Sequence, residues 1–226
     1  QAPRVGAAVR WPVVLAVVLA AVLEVLDSTI VNVALPHLQA AFGIAADQTT
    51  WILTSYIVAA IVVMPLTGLF ARWLGKRRLI TISIVGFTVF SALCGIAENI
   101  EMMVVCRLGQ GLFGAFLIPL SQSTLMNAFP RDRRGQAMAM FGLGVIVAPI
   151  LGPTLGAVLT EHFSWRAVFY VNVPIAAFAL MMISGELQRE ETQKVAIDWT
   201  GLILMVLAIG CLQFVLDQGE TRDWLE

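Results

Sequence analysis

The sequence predicts an all-α protein that crosses a membrane seven times, and three observations carry that expectation. Hydrophobic residues make up 59% of the 226 and charged residues 13%, with a mean hydropathy of +0.86, far outside the range of soluble domains. A helix crossing the ~30 Å hydrocarbon core needs about 20 mostly apolar residues, and seven stretches meet that requirement. The basic residues gather in alternate joins: Arg4 and Arg10 before the first span, Arg72, Lys76, Arg77 and Arg78 after the second, Arg131, Arg133 and Arg134 after the fourth, Arg189 and Lys194 after the sixth. The opposite joins hold only Arg166 and Arg222, so the positive-inside rule puts the N-terminus in the cytoplasm.

The first span, Pro12–Leu35, starts too late, runs too far and lacks the small-residue cleavage site of a removable signal. It carries Glu24 and Asp27 near mid-membrane and Asn32 nearer the outer end. A charge at the bilayer centre costs about 2.5–3.5 kcal/mol on insertion scales, which makes an intramembrane acid a functional-site hypothesis by default. Three residues apart, the two acids lie on neighbouring helical rows and can share one cavity; a structural ion pair with Arg107 is the alternative. The second span, Thr50–Phe70, offers Trp51, Tyr56 and Met64 either as soft contacts for varied apolar ligands or as packing and interfacial anchors.

The join from Gly68 to Ile80, GLFARWLGKRRLI, is a tight basic turn. Gly68 and Gly75 let two helices meet closely, while Arg72, Lys76 and Arg77 stay in cytosolic water beside anionic headgroups. The third span is Leu79–Ala97. The fourth, Met102–Leu125, carries Arg107 about five residues in from its outer end, close enough to snorkel to the interface. Gln110, Ser121, Gln122, Ser123 and Thr124 also interrupt it, and such a polar side must face protein or water. Gly109, Gly111 and Gly114 spell GxGxxG inside this span, but no strand precedes them, so a dinucleotide fingerprint is excluded.

The fifth span, Gln136–Thr160, contains APILGPTLGA. Pro149 and Pro153 each remove a backbone hydrogen bond and mark a bend. Gly144, Ala148, Gly152 and Gly156 recur every four residues, forming a stripe of small residues on which a second helix can approach closely. The sixth and seventh spans are Arg166–Ser184 and Trp199–Leu216, joined by a cytoplasmic linker over 186–198.

A net charge of -1 argues against a nucleic-acid partner. Cys94, Cys106 and Cys211 sit in apolar spans at no ligand-like spacing, so neither a disulfide framework nor a metal site is expected. No GxxxxGK[ST] phosphate loop occurs, so no enzyme activity or cofactor is expected and energy must come from elsewhere. The chain opens at Gln1 and stops just past the seventh span, which reads as a trimmed piece of a longer protein.

These segments together resemble the major facilitator superfamily, specifically its 14-helix drug:proton antiporters of the EmrB/QacA type. LDSTIVNVALP resembles that family's first-helix motif, RLGQGLFGA its fourth-helix motif, LGPTLGA its fifth-helix antiporter motif, and WRAVFYVNVP the start of its helix six. LIPLSQSTL and LQFVLDQGETRDW are most similar to the EmrB subgroup. In two places the chain departs from the pattern. Arg72 stands where the superfamily's loop carries an acid, so the usual loop-to-helix charge contact is not carried over, and Ala157 replaces the last glycine of the antiporter motif.

The resemblance implies that residues 1–185 form an N-terminal six-helix bundle of two inverted three-helix repeats, and that 199–226 hold a seventh transmembrane helix and the start of an external loop. A second bundle, absent here, would complete a midplane substrate site. The function implied is proton-coupled efflux of amphipathic drugs across the bacterial inner membrane by alternating access. Asp27, with Glu24, would take the proton, Arg107 would hold the occluded arrangement, and Pro149, Gly152, Pro153 and Gly156 would let helix five rock. Asn32, Trp51, Tyr56, Gln110 and Gln122 are candidates for the substrate cavity. The EmrB-like segments further imply a periplasmic adaptor and an outer-membrane channel as partners. A symporter of a specific solute on the same fold, and a non-transporting membrane adaptor or sensor, are the alternatives.

Overall fold

The computed structural model describes residues 11–186 and 199–221. Arg4, Arg10, Arg189, Lys194, Arg222, and the linker from 187 to 198 lie outside the described residues. Among the described residues the chain is helical without strands: α1 (Trp11–Phe42), α2 (Ala46–Val63), α3 (Thr67–Leu74), α4 (Lys76–Gly95), α5 (Ile100–Gly114), α6 (Leu117–Ala128), α7 (Arg134–His162), α8 (Ala167–Tyr170), α9 (Asn172–Glu186) and α10 (Trp199–Thr221). Among the described residues, five rods are long and apolar enough to cross a membrane: Trp11–Phe42, Ala46–Leu74, Lys76–Gly95, Ile100–Ala128 and Arg131–His162. Two further apolar stretches, Ala167–Ile183 and Thr200–Leu212, are shorter within the described residues.

The first, second, fourth and fifth rods are longer than the apolar runs that predict them, and side chains cap the starts of two helices. α1 continues through Pro36 to Phe42 and ends at Gly43, whose φ of 65° suits glycine. α2 starts at Ala46, where the Gln48 side chain accepts the Ala45 N–H at 3.2 Å. Asn99 accepts the Met102 N–H at 2.8 Å and starts α5. Gly75, at φ 81°, makes the one-residue turn between α3 and α4 that the basic loop requires.

Proline sets the internal breaks. Pro119 has no N–H for the carbonyl of Ala115 and its ring crowds that carbonyl, so the fourth rod breaks between α5 and α6 at residues 115–116. Pro174 acts likewise on Tyr170 and separates α8 from α9 at Val171. α7 instead remains one helix through Pro149 and Pro153, both on its exposed side.

The opposite side of α7 lies on α1. A Cβ added at Gly152 would collide with the Thr29 side chain, one at Gly156 would meet Val33 Cβ at 3.1 Å, and one at Gly144 would meet Val18 Cγ1 at 2.7 Å. The small-residue stripe is therefore an α1–α7 seam. Gly152→Ala is expected to lower the unfolding temperature in detergent, since overpacking costs about 1–3 kcal/mol, and Thr29→Ala, which removes the hydroxyl but leaves Thr29 Cβ 2.9 Å away, should restore part of it. Gly156→Ala should shift it little and Gly156→Leu strongly. Equal stability of all these variants would mean that the seam is not closed in the membrane.

Two apolar cores result. One gathers Val14, Val17, Leu23, Phe87, Leu117 and Leu120, the other Ile30, Leu38, Ile52, Met103, Val168 and Phe169. Along α1 the first ends at Leu23 and the second begins at Ile30, leaving Glu24 and Asp27 between them.

Candidate functional site

Asp27 is fully buried and accepts three side-chain donors from distant parts of the chain. Arg107 Nη1 donates to Oδ2 at 2.6 Å, while Gln110 Nε2 at 2.9 Å and Asn172 Nδ2 at 2.6 Å both donate to Oδ1. Arg107, 1% exposed, makes two further hydrogen bonds inside the bundle, giving Nη1 also to Gln110 Oε1 at 2.8 Å and Nε to the Ile52 carbonyl at 3.2 Å. Its guanidinium lies 4.2 Å from the centre of the buried Tyr56 ring, a cation–π contact that suits a desolvated arginine. Arg107 therefore does not snorkel to the interface; the ion pair is what the structure shows.

The two helix breaks meet the two buried acids separately. The α8–α9 break starts α9 at Asn172, whose Nδ2 also donates to Ser91 Oγ at 2.9 Å, and Ser91 in turn donates to the Phe169 carbonyl at 2.8 Å. At the α5–α6 break Glu24 Oε2 accepts the Ile118 N–H at 3.2 Å. Glu24 thus accepts from an N–H at the start of α6, one of the ways irregular backbone is satisfied at membrane depth. The two acids are both buried but hold different partners.

The other predicted residues divide. Gln110 and Tyr56 belong to the cluster, and the Tyr56 hydroxyl is buried without a hydrogen-bond partner. Gln122 is partly buried on α6, with Nε2 3.9 Å from Met138 Sδ. Asn32 is on the exposed side of α1. Trp51 is 46% exposed and lines a small cleft with Val58, Leu108 and Gly210. Neither joins the buried cluster. In the basic loop, Arg72 Nε donates to the Gly68 carbonyl at 3.3 Å within its own helix. Arg166, one of the two cations of the opposite joins, caps α4 by donating to the Gly95 and Ala97 carbonyls at 2.9 and 3.2 Å. Asn172 and Ser91 are missed by the sequence reading. The amide in VNVP, alone in an apolar run and just ahead of a proline, is the signal that points to Asn172; Ser91 has none.

Chemically the cluster is a carboxylate cage. An ionised carboxylate only accepts, and three donors converge on Asp27; a protonated one donates and no longer matches the Arg107 charge. The state of one proton therefore bears on contacts joining α1, α2, α5 and α9, with Ser91 of α4 behind them.

A bundle of membrane-spanning helices closed around a buried ion pair defines a membrane transporter fold. The Major Facilitator Superfamily family matches residues 17–216, and the chain belongs to that family. It is 43% identical over 224 residues to the fatty acid resistance protein FarB of Neisseria gonorrhoeae, covering 98% of this chain and 44% of that protein. It is 40% identical over 212 residues to the multidrug export protein EmrB of Escherichia coli (strain K12), covering 93% and 41% respectively. The chain thus spans less than half the length of these relatives. Among solved structures it resembles the human organic anion transporter MFSD10 (TETRAN), with a TM-score of 0.72 at 21% identity over 93% of this chain and 55% of that one. The proton:xylose symporter XylE gives 0.69 at 16%, over 93% and 54%. At those identities the likeness concerns the fold.

Proposed function

We propose that this chain supplies the N-terminal bundle of a proton-coupled exporter of amphipathic drugs, working by alternating access in the bacterial inner membrane with its N-terminus in the cytoplasm. The observation that carries the reading is the fully buried Asp27–Arg107 pair. An ion pair replaced by apolar residues is often no less stable, so packing alone gives no reason for one at mid-membrane. The names of the relatives, multidrug export and fatty acid resistance, support efflux of apolar or amphipathic compounds.

In this mechanism Asp27 binds a proton from outside, the Arg107 bond loosens, and the helices meeting at the cluster reorient; release to the cytoplasm restores the cage. The driving force is sufficient. A membrane potential of ~150 mV provides about 3.5 kcal/mol per charge moved, enough for a roughly 300-fold gradient. A second bundle completes the midplane site, and a periplasmic adaptor with an outer-membrane channel carries the drug onward.

The test uses inverted membrane vesicles holding the transporter with its second bundle. Acidifying the lumen should drive uptake of a neutral amphipathic dye, and collapsing the pH gradient should release it. Dye movement indifferent to the gradient would remove proton coupling, and proton-driven movement in the opposite sense would make the protein a symporter. Resistance of whole cells unchanged after deletion of every adaptor would remove the outer partners alone.

A further inference from the structure

Two glycines of the GxGxxG run on α5 make room for Tyr56 of α2. A Cβ at Gly111 would collide with the Tyr56 carbonyl oxygen, and one at Gly114 would meet the Tyr56 hydroxyl at 3.0 Å. The ring lies against the Arg107 guanidinium, while the hydroxyl abuts Gly114 and is buried with no hydrogen-bond partner. A phenylalanine would offer Arg107 the same ring and leave no unsatisfied oxygen. Packing therefore gives no reason for the hydroxyl. We infer that Tyr56 relays the coupling proton from Asp27 to Glu24 on its way to the cytoplasm.

This inference rests on the proton-coupled reading above and names the route that the buried Asp27 lacks. Three charged groups act electrostatically on the Tyr56 hydroxyl: Glu24 and Asp27 of α1 and Arg107 of α5. Along α5 and α6 the members come in order, with Asp27 held by Arg107 and Gln110, the hydroxyl beside Gly114, and Glu24 bonded to the Ile118 N–H. Each step of four residues is about 6 Å at 1.5 Å per residue. With the N-terminus in the cytoplasm, the order runs from mid-membrane toward the cytoplasmic side. Rotation of the Tyr56 and Glu24 side chains closes the steps once Arg107 loosens its hold on the ring. A hydroxyl both donates and accepts, and a carboxylate that holds one N–H keeps acceptor capacity on its other lone pairs. In the relay the O–H bond of protonated Asp27 breaks as its proton passes to the Tyr56 oxygen, and the original Tyr56 proton leaves for Glu24. Asp27 ends ionised, Tyr56 unchanged and Glu24 neutral, ready to release the proton.

The experiment uses proteoliposomes of the transporter with its second bundle, in which a pH gradient drives a neutral amphipathic dye. Tyr56→Phe should slow the maximal rate of uptake about a hundredfold, the lower end of what a positioned acid–base group contributes. The KM for dye and the final dye gradient should not change, because Asp27 still sets the coupling. Glu24→Gln, which keeps an acceptor for the Ile118 N–H, should slow uptake similarly, and the double variant should be no slower than the slower single one, as members of one path require. A parent-like maximal rate in Tyr56→Phe would overturn the relay. So would a change confined to KM, which would make Tyr56 a substrate contact, or single losses that multiply in the double variant. The proton-coupled reading fails by a separate result, an Asp27→Asn variant that accumulates dye as the parent does.

Discussion

Asp27→Asn is expected to reduce uphill transport from its roughly 300-fold ceiling to simple equilibration, while the protein still inserts and folds. Asparagine keeps the size of the side chain and one acceptor for Arg107, but it carries no exchangeable proton. Its cost is electrostatic: Arg107, 1% exposed, is left without its counter-charge, so the unfolding temperature should fall as well. Dye accumulation in inverted vesicles with and without a pH gradient checks the first part, and detergent unfolding the second. Accumulation equal to the parent protein would refute Asp27 as the proton site.

Arg107→Ala is expected to be as damaging, for the complementary reason. It leaves Asp27 buried with two amide donors and no cation, and breaking a buried pair from one side typically costs about 3–5 kcal/mol. Arg107→Lys should recover little. Arg107 bonds through Nη1 and Nε to Asp27, Gln110 and the Ile52 carbonyl with its guanidinium 4.2 Å from the centre of the Tyr56 ring, and a compact ammonium does not reproduce donors spread over two nitrogens. The decisive variant is the pair Asp27→Asn with Arg107→Gln. Removing both charges should return the unfolding temperature close to that of the parent, with transport still absent. Single-variant losses of stability that simply add in the double variant would show that the two residues are not coupled.

Much of the candidate site was legible along the chain because polar groups in apolar spans are costly and therefore conspicuous. Asp27, Glu24, Arg107 and Gln110 stand out for that reason. The pairing of Arg107 with an acid of the first span was legible as one of two readings, and the structure has it with Asp27; what Glu24, Gln110 and Tyr56 touch was not. Glu24 and Asp27 are about 60° apart on the helix with a rise of ~4.5 Å, enough for Glu24 to meet the break at Ile118 while Asp27 meets Arg107. Trp51 and Tyr56 share a span, yet five residues turn the helix by about 140°, so one faces outward and the other lies under the guanidinium. Partners 80 and 145 residues away from Asp27 leave no local periodic signal.

Composition, hydropathy and the alternation of basic joins were sufficient by themselves to establish a helical, multi-pass membrane protein, since the bilayer admits few backbone solutions and each needs a long apolar run. Motif order was sufficient to point to the family. The tertiary structure alone decided that the small-residue stripe of α7 closes on α1, that Pro119 and Pro174 break their rods while Pro149 and Pro153 do not, and that Asn172 completes the cage around Asp27. Those outcomes depend on how each helix is rotated against its neighbours. A freed carbonyl or a buried charge selects its partner from whatever packing brings within hydrogen-bond reach, and that choice is made in three dimensions.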